Sequence, residues 1–364
     1  MNKQYDSKLI LEDGTIIQAK SFGYPKSVSG EVVFNTAMTG YPESLTDPSY
    51  KGQLVVLTYP LIGNYGVPPD ITENKMSKYF ESDKIQVSGL IISDYSNEIS
   101  HWNSVKTLSD WLFENEIPGI FNIDTRALTK RIREYGTMPG KIIIDSDVDF
   151  IDIHKQNLVS QVSTKEKIIY PGGEYKIILI DCGTKNNIIR SLIKRNVTVI
   201  RVPWNYNYLN DDYDGLLISN GPGDPKKCSE TINHIKISLN LNIPIFGICL
   251  GNQLMCLASG GNTYKLKYGH RSHNQPVIQY GTNRCFVTSQ NHGYASEFKS
   301  LNSEWKEFFV NLNDNTNEGI IHKDKPFFSA QFHPEASSGP TDTDFLFDIF
   351  LNSVKKFYEL KNEN

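Results

Sequence analysis

Short apolar runs separated by turn residues pattern the first 140 or so residues, with two helical periodicities set among them. Residues 9–15 read as a strand entering the Asp13-Gly14 turn of a hairpin, and residues 30–36 and 53–58 are two further β-branched runs. Leu108, Trp111 and Leu112 share one face of a helix predicted over 104–116. A second helix, predicted over 125–135, begins at Asp124-Thr125 and stops at Gly136.

The character changes between residues 145 and 174. Asp145-Ser146-Asp147-Val148-Asp149 is polar, and Pro171-Gly172-Gly173-Glu174 is turn chemistry. The pattern predicts a first domain over 1–145, a linker over 146–174 and a second domain over 175–364. In the second domain strands are predicted at 176–181, 197–203, 215–220 and 244–248. They alternate with helices at 184–195 and from about Cys228. Repeated βαβ units of this kind imply a parallel, doubly wound sheet. Hairpin-like strands follow at 284–289, 307–311, 319–322 and 327–332, then an amphipathic helix over 343–360. The fold class expected is α/β: a β-rich α/β domain followed by a doubly wound, mostly parallel sheet.

Composition narrows the possibilities. The chain of 364 residues is long enough for two domains at roughly 150 residues each. Its 37 basic and 41 acidic residues leave a net charge of −4, which gives no electrostatic reason to expect nucleic acid or a membrane as partner. The first residues show no apolar h-region, and the five cysteines are odd in number, scattered and without a CxxC pair. A reduced, cytoplasmic protein is expected.

The sharpest local signal is Gly247-Ile248-Cys249-Leu250-Gly251, where a buried strand turns abruptly into a helix. This is the nucleophile-elbow pattern with cysteine in place of serine. It lifts the Cys249 sulfur to a helix N-terminus, where the peptide dipole and free N–H groups favour thiolate. A cysteine closing a parallel strand is otherwise an inert packing residue. A nucleophile needs a base, and the base an orienting group. His333-Pro334-Glu335 supplies both, because the proline forces His333 to be extended and aims the Glu335 carboxylate back at the imidazole.

Two polar segments complete the constellation. Ser219-Asn220-Gly221-Pro222-Gly223-Asp224 ends a strand, and its N–H groups can face a developing oxyanion. Thr288-Ser289-Gln290-Asn291-His292-Gly293-Tyr294 reads as a loop after a strand. Gly269-His270-Arg271-Ser272-His273 places two histidines three apart. With no carboxylate or cysteine near them in sequence they read as a solvated turn, and no metal site is expected. No Walker A motif is present.

Together these motifs resemble the class I glutamine amidotransferases, with the cysteine elbow at 247–251 and the base and acid at 333–335. The N-terminal half adds Gly30-Glu31-Val32-Val33-Phe34-Asn35-Thr36, Met38-Thr39-Gly40-Tyr41, Thr46-Asp47-Pro48-Ser49-Tyr50, Thr58-Tyr59-Pro60-Leu61-Ile62-Gly63-Asn64 and Ile123-Asp124-Thr125-Arg126. These resemble the small-chain family of carbamoyl-phosphate synthase, and the likeness covers nearly the whole chain. It implies that the Cys249 thiolate attacks the side-chain amide of L-glutamine, that the N–H groups of Gly223 and Leu250 hold the oxyanion, and that His333, oriented by Glu335, handles the protons. It implies glutamine contacts at Ser49, Gly221, Gly223, Leu250, Gln253, Asn291, Gly293 and Tyr294. It further implies a large synthetase chain as partner, docking on the N-terminal domain. That partner binds ATP, Mg²⁺ and bicarbonate and uses the ammonia for carbamoyl phosphate, a precursor of arginine and pyrimidines; no cofactor is expected on this chain. Asn252 departs from the pattern, standing where the elbow usually continues with histidine, and altered local packing with retained activity is expected. The 146–174 segment is also short for the family. A stand-alone γ-glutamyl amidase would need no partner, and an inactive regulatory subunit would lack Cys, His or Glu.

Overall fold

The structure is a computed structural model and describes residues 5–363. The chain divides between Gln156 and Asn157 into two compact units. In the first, seven strands close into a barrel. They run in the order Asp6–Leu11, Met138–Ile143, Val28–Asn35, Gln53–Leu57, Gly89–Ile91, Gly119–Phe121 and Ile16–Ser21, and the last pairs back onto the first. The first hairpin turns at Gly14, whose φ of 87° suits a residue without Cβ.

The strand Gln53–Leu57 is buried at every position, which is why its sequence is a continuous apolar run instead of an alternating one. Val33, Val55, Leu90, Leu108 and Leu112 meet in one core. The helix Thr125–Tyr135 matches expectation at both ends. Asp124 accepts from the Ala127 N–H at 2.8 Å, and Gly136 closes the last turn. The other helix is shorter than expected, Leu108–Glu114, because Thr107 caps it and Lys106 is drawn into a β-bridge with Val67.

The second unit is built on one ten-stranded sheet. Five strands at its centre are parallel, in the order Thr198–Pro203, Lys176–Asp181, Gly215–Ile218, Ile245–Ile248 and Phe327–Ala330. Both faces are covered. Ile245 packs with Leu254 and Met255 of the helix that follows it, whereas Phe246 stacks on Phe328 and meets Phe347 and Phe350 of the C-terminal helix Phe345–Glu363. Successive side chains of a strand point to opposite faces, so adjacent apolar residues here serve two different layers. Antiparallel strands extend the sheet from Phe327–Ala330 through Asn317–His322, Trp305–Asn311, Asn262–Gln279 and Cys285–Glu297.

Three expectations are corrected. The stretch 146–174 is not a bare linker. Ile168–Tyr170 is an antiparallel edge strand on Thr198–Pro203, and the Thr164 N–H donates to the buried Asp181 carboxylate at 2.7 Å. Residues 269–273 are not a solvated turn, and residues 288–295 are not a loop: both lie in the long paired strands Asn262–Gln279 and Cys285–Glu297. Their polar side chains disguised them, since His270, Arg271, Gln290 and His292 are buried yet polar. Among the described residues no helix is long and apolar enough to cross a membrane.

Candidate active site

The strand Ile245–Ile248 runs directly into the helix Leu250–Ala258, and Cys249 is the joint. Its backbone is strained, with φ 55° and ψ −103°, as a nucleophile elbow requires. The Cys249 N–H donates to the Ala330 carbonyl at 2.8 Å, and its own carbonyl accepts from Asn252 at 3.0 Å, so the joint is held from both sides. The flanking glycines are sterically required. A Cβ on Gly251 would stand 2.2 Å from the Ile218 carbonyl oxygen, and one on Gly247 would stand 2.6 Å from the Gly251 carbonyl oxygen and from the Met255 sulfur.

His333 follows the neighbouring parallel strand. Its N–H donates to the Ser289 carbonyl at 2.9 Å, and its Nδ1 donates to Oε1 of Glu335 at 2.6 Å. Both side chains are buried. Burial alone would push the Glu335 carboxyl up, but Lys185 and His333 outweigh it and hold the group well below the usual carboxylate range. For His333, burial and Lys185 oppose the proton, yet the Glu335 charge and Cys249 raise its affinity well above an ordinary imidazole. Nε2 of His333 is buried and has no aligned hydrogen bond, and bonds of this kind tighten when substrate is in place.

Lys185 is the residue that sequence reasoning missed. Its Nζ lies 3.1 Å from Oε1 of Glu335 and donates to the Ala336 carbonyl, while its backbone N–H donates to Oδ1 of Asn220 at 3.0 Å. Its place offered a signal: it follows the carboxyl end of the parallel strand Lys176–Asp181, where such sheets bind ligands.

The other expected site residues of the second unit gather around this centre. The Cys249 sulfur lies 3.7 Å from the Asn291 carbonyl oxygen. Nε2 of Gln253 donates to the Tyr294 carbonyl at 2.9 Å, and Gly293 lies between Asn291 and Tyr294 in the strand. A Cβ on Gly221 would meet the Leu250 side chain at 2.8 Å, so the 219–224 loop abuts the elbow, and Gly223 in that loop has φ 84°. Leu250 opens its helix, so its N–H has no acceptor within the helix. Ser49 belongs to the first unit, where it is buried and donates its N–H to Asp47 at 2.9 Å.

Asn252 fills the place expected to be altered. It is fully buried and well bonded: Nδ2 donates to Ser296 at 3.1 Å and to Gln331 at 2.9 Å, and Oδ1 accepts from Ser329 at 2.7 Å. Next to Asn291 in the strand pair, atoms of His270, His292 and Glu318 come within 4.8 Å of one another, the one such group of potential metal ligands among the described residues. His270 bonds Asp314 at 2.8 Å. Burial opposes its charge, but Asp314 and Glu318 raise its pKa to about 9, so the imidazolium itself balances these acids.

A cysteine elbow beside a buried His–Glu pair, on a sheet of this topology, defines a glutamine amidotransferase of class I, and the family model "Glutamine amidotransferase class-I" matches residues 178–353. The model "Carbamoyl-phosphate synthase small chain, CPSase domain" matches residues 9–142. The carbamoyl phosphate synthase arginine-specific small chain of Aspergillus oryzae is 47% identical over 95% of this chain and 80% of its own length. This chain belongs to the carbamoyl-phosphate synthase small-chain family. The multifunctional protein CAD of Squalus acanthias is 54% identical over 95% of this chain, and the mitochondrial carbamoyl-phosphate synthase [ammonia] of Mus musculus 48% identical over 97%. The chain spans only 16% and 24% of those two longer relatives.

Proposed function

We propose that the chain hydrolyses L-glutamine to glutamate and ammonia and delivers the ammonia for carbamoyl phosphate synthesis. The observation that carries this reading is the strained Cys249 at the head of its helix, facing a buried His333 that is bonded to Glu335 at 2.6 Å. The Cys249 sulfur attacks the side-chain amide carbon, and the N–H groups of Leu250 and Gly223 take the oxyanion, an interaction worth about 3–4 kcal/mol per donor. His333 gives its proton to the leaving ammonia, then draws one from water to cleave the γ-glutamyl thioester. Glu335 keeps the imidazole in one orientation throughout. Gly221, Gln253, Asn291, Gly293 and Tyr294 line the glutamine site, and Ser49 is assigned to it by resemblance.

The ammonia acceptor is a large synthetase segment that carries ATP, Mg²⁺ and bicarbonate, either as a separate chain or fused to this one. Covalent fusion is supported by relatives several times longer than this chain. The free state of its cysteines supports a reducing compartment, the cytoplasm. The test is carbamoyl phosphate synthesis after mixing with the cognate large chain, using wild type and Cys249→Ser with glutamine or ammonium. Glutamine should serve wild type alone, and ammonium should serve both. Glutamine hydrolysis that never feeds the synthetase would sink the family part of this reading.

A further inference from the structure

The strand Asn262–Gln279 bulges beside the site. Ser272 pairs with Gln290 and Gln275 with Thr288, so His273 and Asn274 together oppose Ser289 alone. A bulge of this kind re-aims a side chain and recurs next to active sites. Here it turns His273 toward the segment that follows Glu335. Nε2 of His273 lies 3.3 Å from Oγ of Ser338, and a Cβ on Gly339 would meet the imidazole at 3.4 Å. Ser289, opposite the bulge, gives its carbonyl to the His333 N–H and supports the same Gly339.

The segment so held is strained. Ala336 and Ser337 have φ of 55° and 51°, a conformation that non-glycine residues keep only where their surroundings impose it. The Ala336 carbonyl is also an acceptor for the Lys185 ammonium, which contacts the Glu335 carboxylate as well.

We propose that His273 is a positioning residue for the catalytic pair: through Ser338 it holds the 336–339 segment so that the Ala336 carbonyl keeps Lys185 on Glu335. The proposal rests on the glutaminase reading of Cys249, His333 and Glu335. Burial, Lys185 and His333 push the His273 pKa down to about 4. It therefore contributes a hydrogen bond without adding a third cation beside Lys185 and His333.

The test uses the full-length chain with His273→Ala, His273→Gln and Ser338→Ala. The glutamine side chain places an amide near the position of Nε2 and can keep the bond to Ser338. His273→Ala and Ser338→Ala should each lower kcat for glutamine hydrolysis about tenfold with KM nearly unchanged, and His273→Gln should stay within about threefold of wild type. The rate of Cys249 alkylation by iodoacetamide should fall and recover in the same order. A wild-type kcat in Ser338→Ala, a His273→Gln as impaired as His273→Ala, or a loss confined to KM overturns the proposal. If wild type releases no glutamate, the glutaminase reading falls instead, and the alkylation series alone decides for or against His273.

Discussion

Nζ of Lys185 stands 3.1 Å from the same Glu335 oxygen that takes the His333 Nδ1 proton at 2.6 Å, and all three side chains are buried. One carboxylate is thus shared by two cations. Lys185 works in both directions: it keeps Glu335 ionised, yet opposes the proton on His333, which would otherwise be gripped too firmly to pass on. Removing the lysine leaves the buried Glu335 charge balanced by His333 alone, and a buried charge that loses part of its compensation costs stability.

Lys185→Met should lower kcat for glutamine hydrolysis by about 10- to 100-fold and the melting temperature by several degrees. Steady-state kinetics beside a calorimetric melt would check both. Unchanged kinetics would mean that His333 alone orients Glu335.

Gly251→Ala should cost about 3 kcal/mol or more, because its Cβ would fall 2.2 Å from the Ile218 carbonyl oxygen. The obstacle is backbone, which cannot swing away. Urea unfolding of the variant beside wild type measures the loss, and the shifted elbow should abolish hydrolysis as well.

The His270 pair makes stability fall in alkaline solution. Its folded pKa of about 9 lies above the ordinary 6.5. Its contribution is therefore complete below pH 6.5 and is lost as pH rises through 9. The magnitude is about 3 kcal/mol. Unfolding free energies from pH 6 to 10 should fall in wild type, and His270→Gln should remove its share of the slope, leaving that of His333, whose proton affinity is also raised.

Of the five free cysteines Cys285 alone is exposed. Ellman's reagent should react quickly with one thiol in the native protein, and Cys285→Ser should remove that fast phase while leaving glutamine hydrolysis intact. A fast phase that survives would come from the active-site thiolate of Cys249, and its loss in Cys249→Ser would show this.

Elements governed by local rules were legible from the residues. The helix Thr125–Tyr135 has its cap and its stop in sequence, and the four central strands were signalled by apolar runs that serve two layers. The elbow and the His333–Glu335 pair were legible for the same reason, since adjacent residues fix their geometry. What escaped depended on partners distant in sequence. The strands around His270 and Gln290 read as turn and loop because burial among other polar groups leaves no hydrophobic trace. Lys185 looked like any helix-start lysine, because its partner Glu335 lies 150 residues away along the chain and only the fold brings them together.

The edge strand Ile168–Tyr170 decides where this protein can be cut. A fragment starting at 175 would lose the strand that covers one side of Thr198–Pro203, together with the Thr164 N–H that serves the Asp181 carboxylate. The bared row of N–H and C=O groups is a template for pairing with another chain, so such a fragment would aggregate. Starting at Asn157 retains both features, and that is the boundary at which the glutaminase half should be expressed alone.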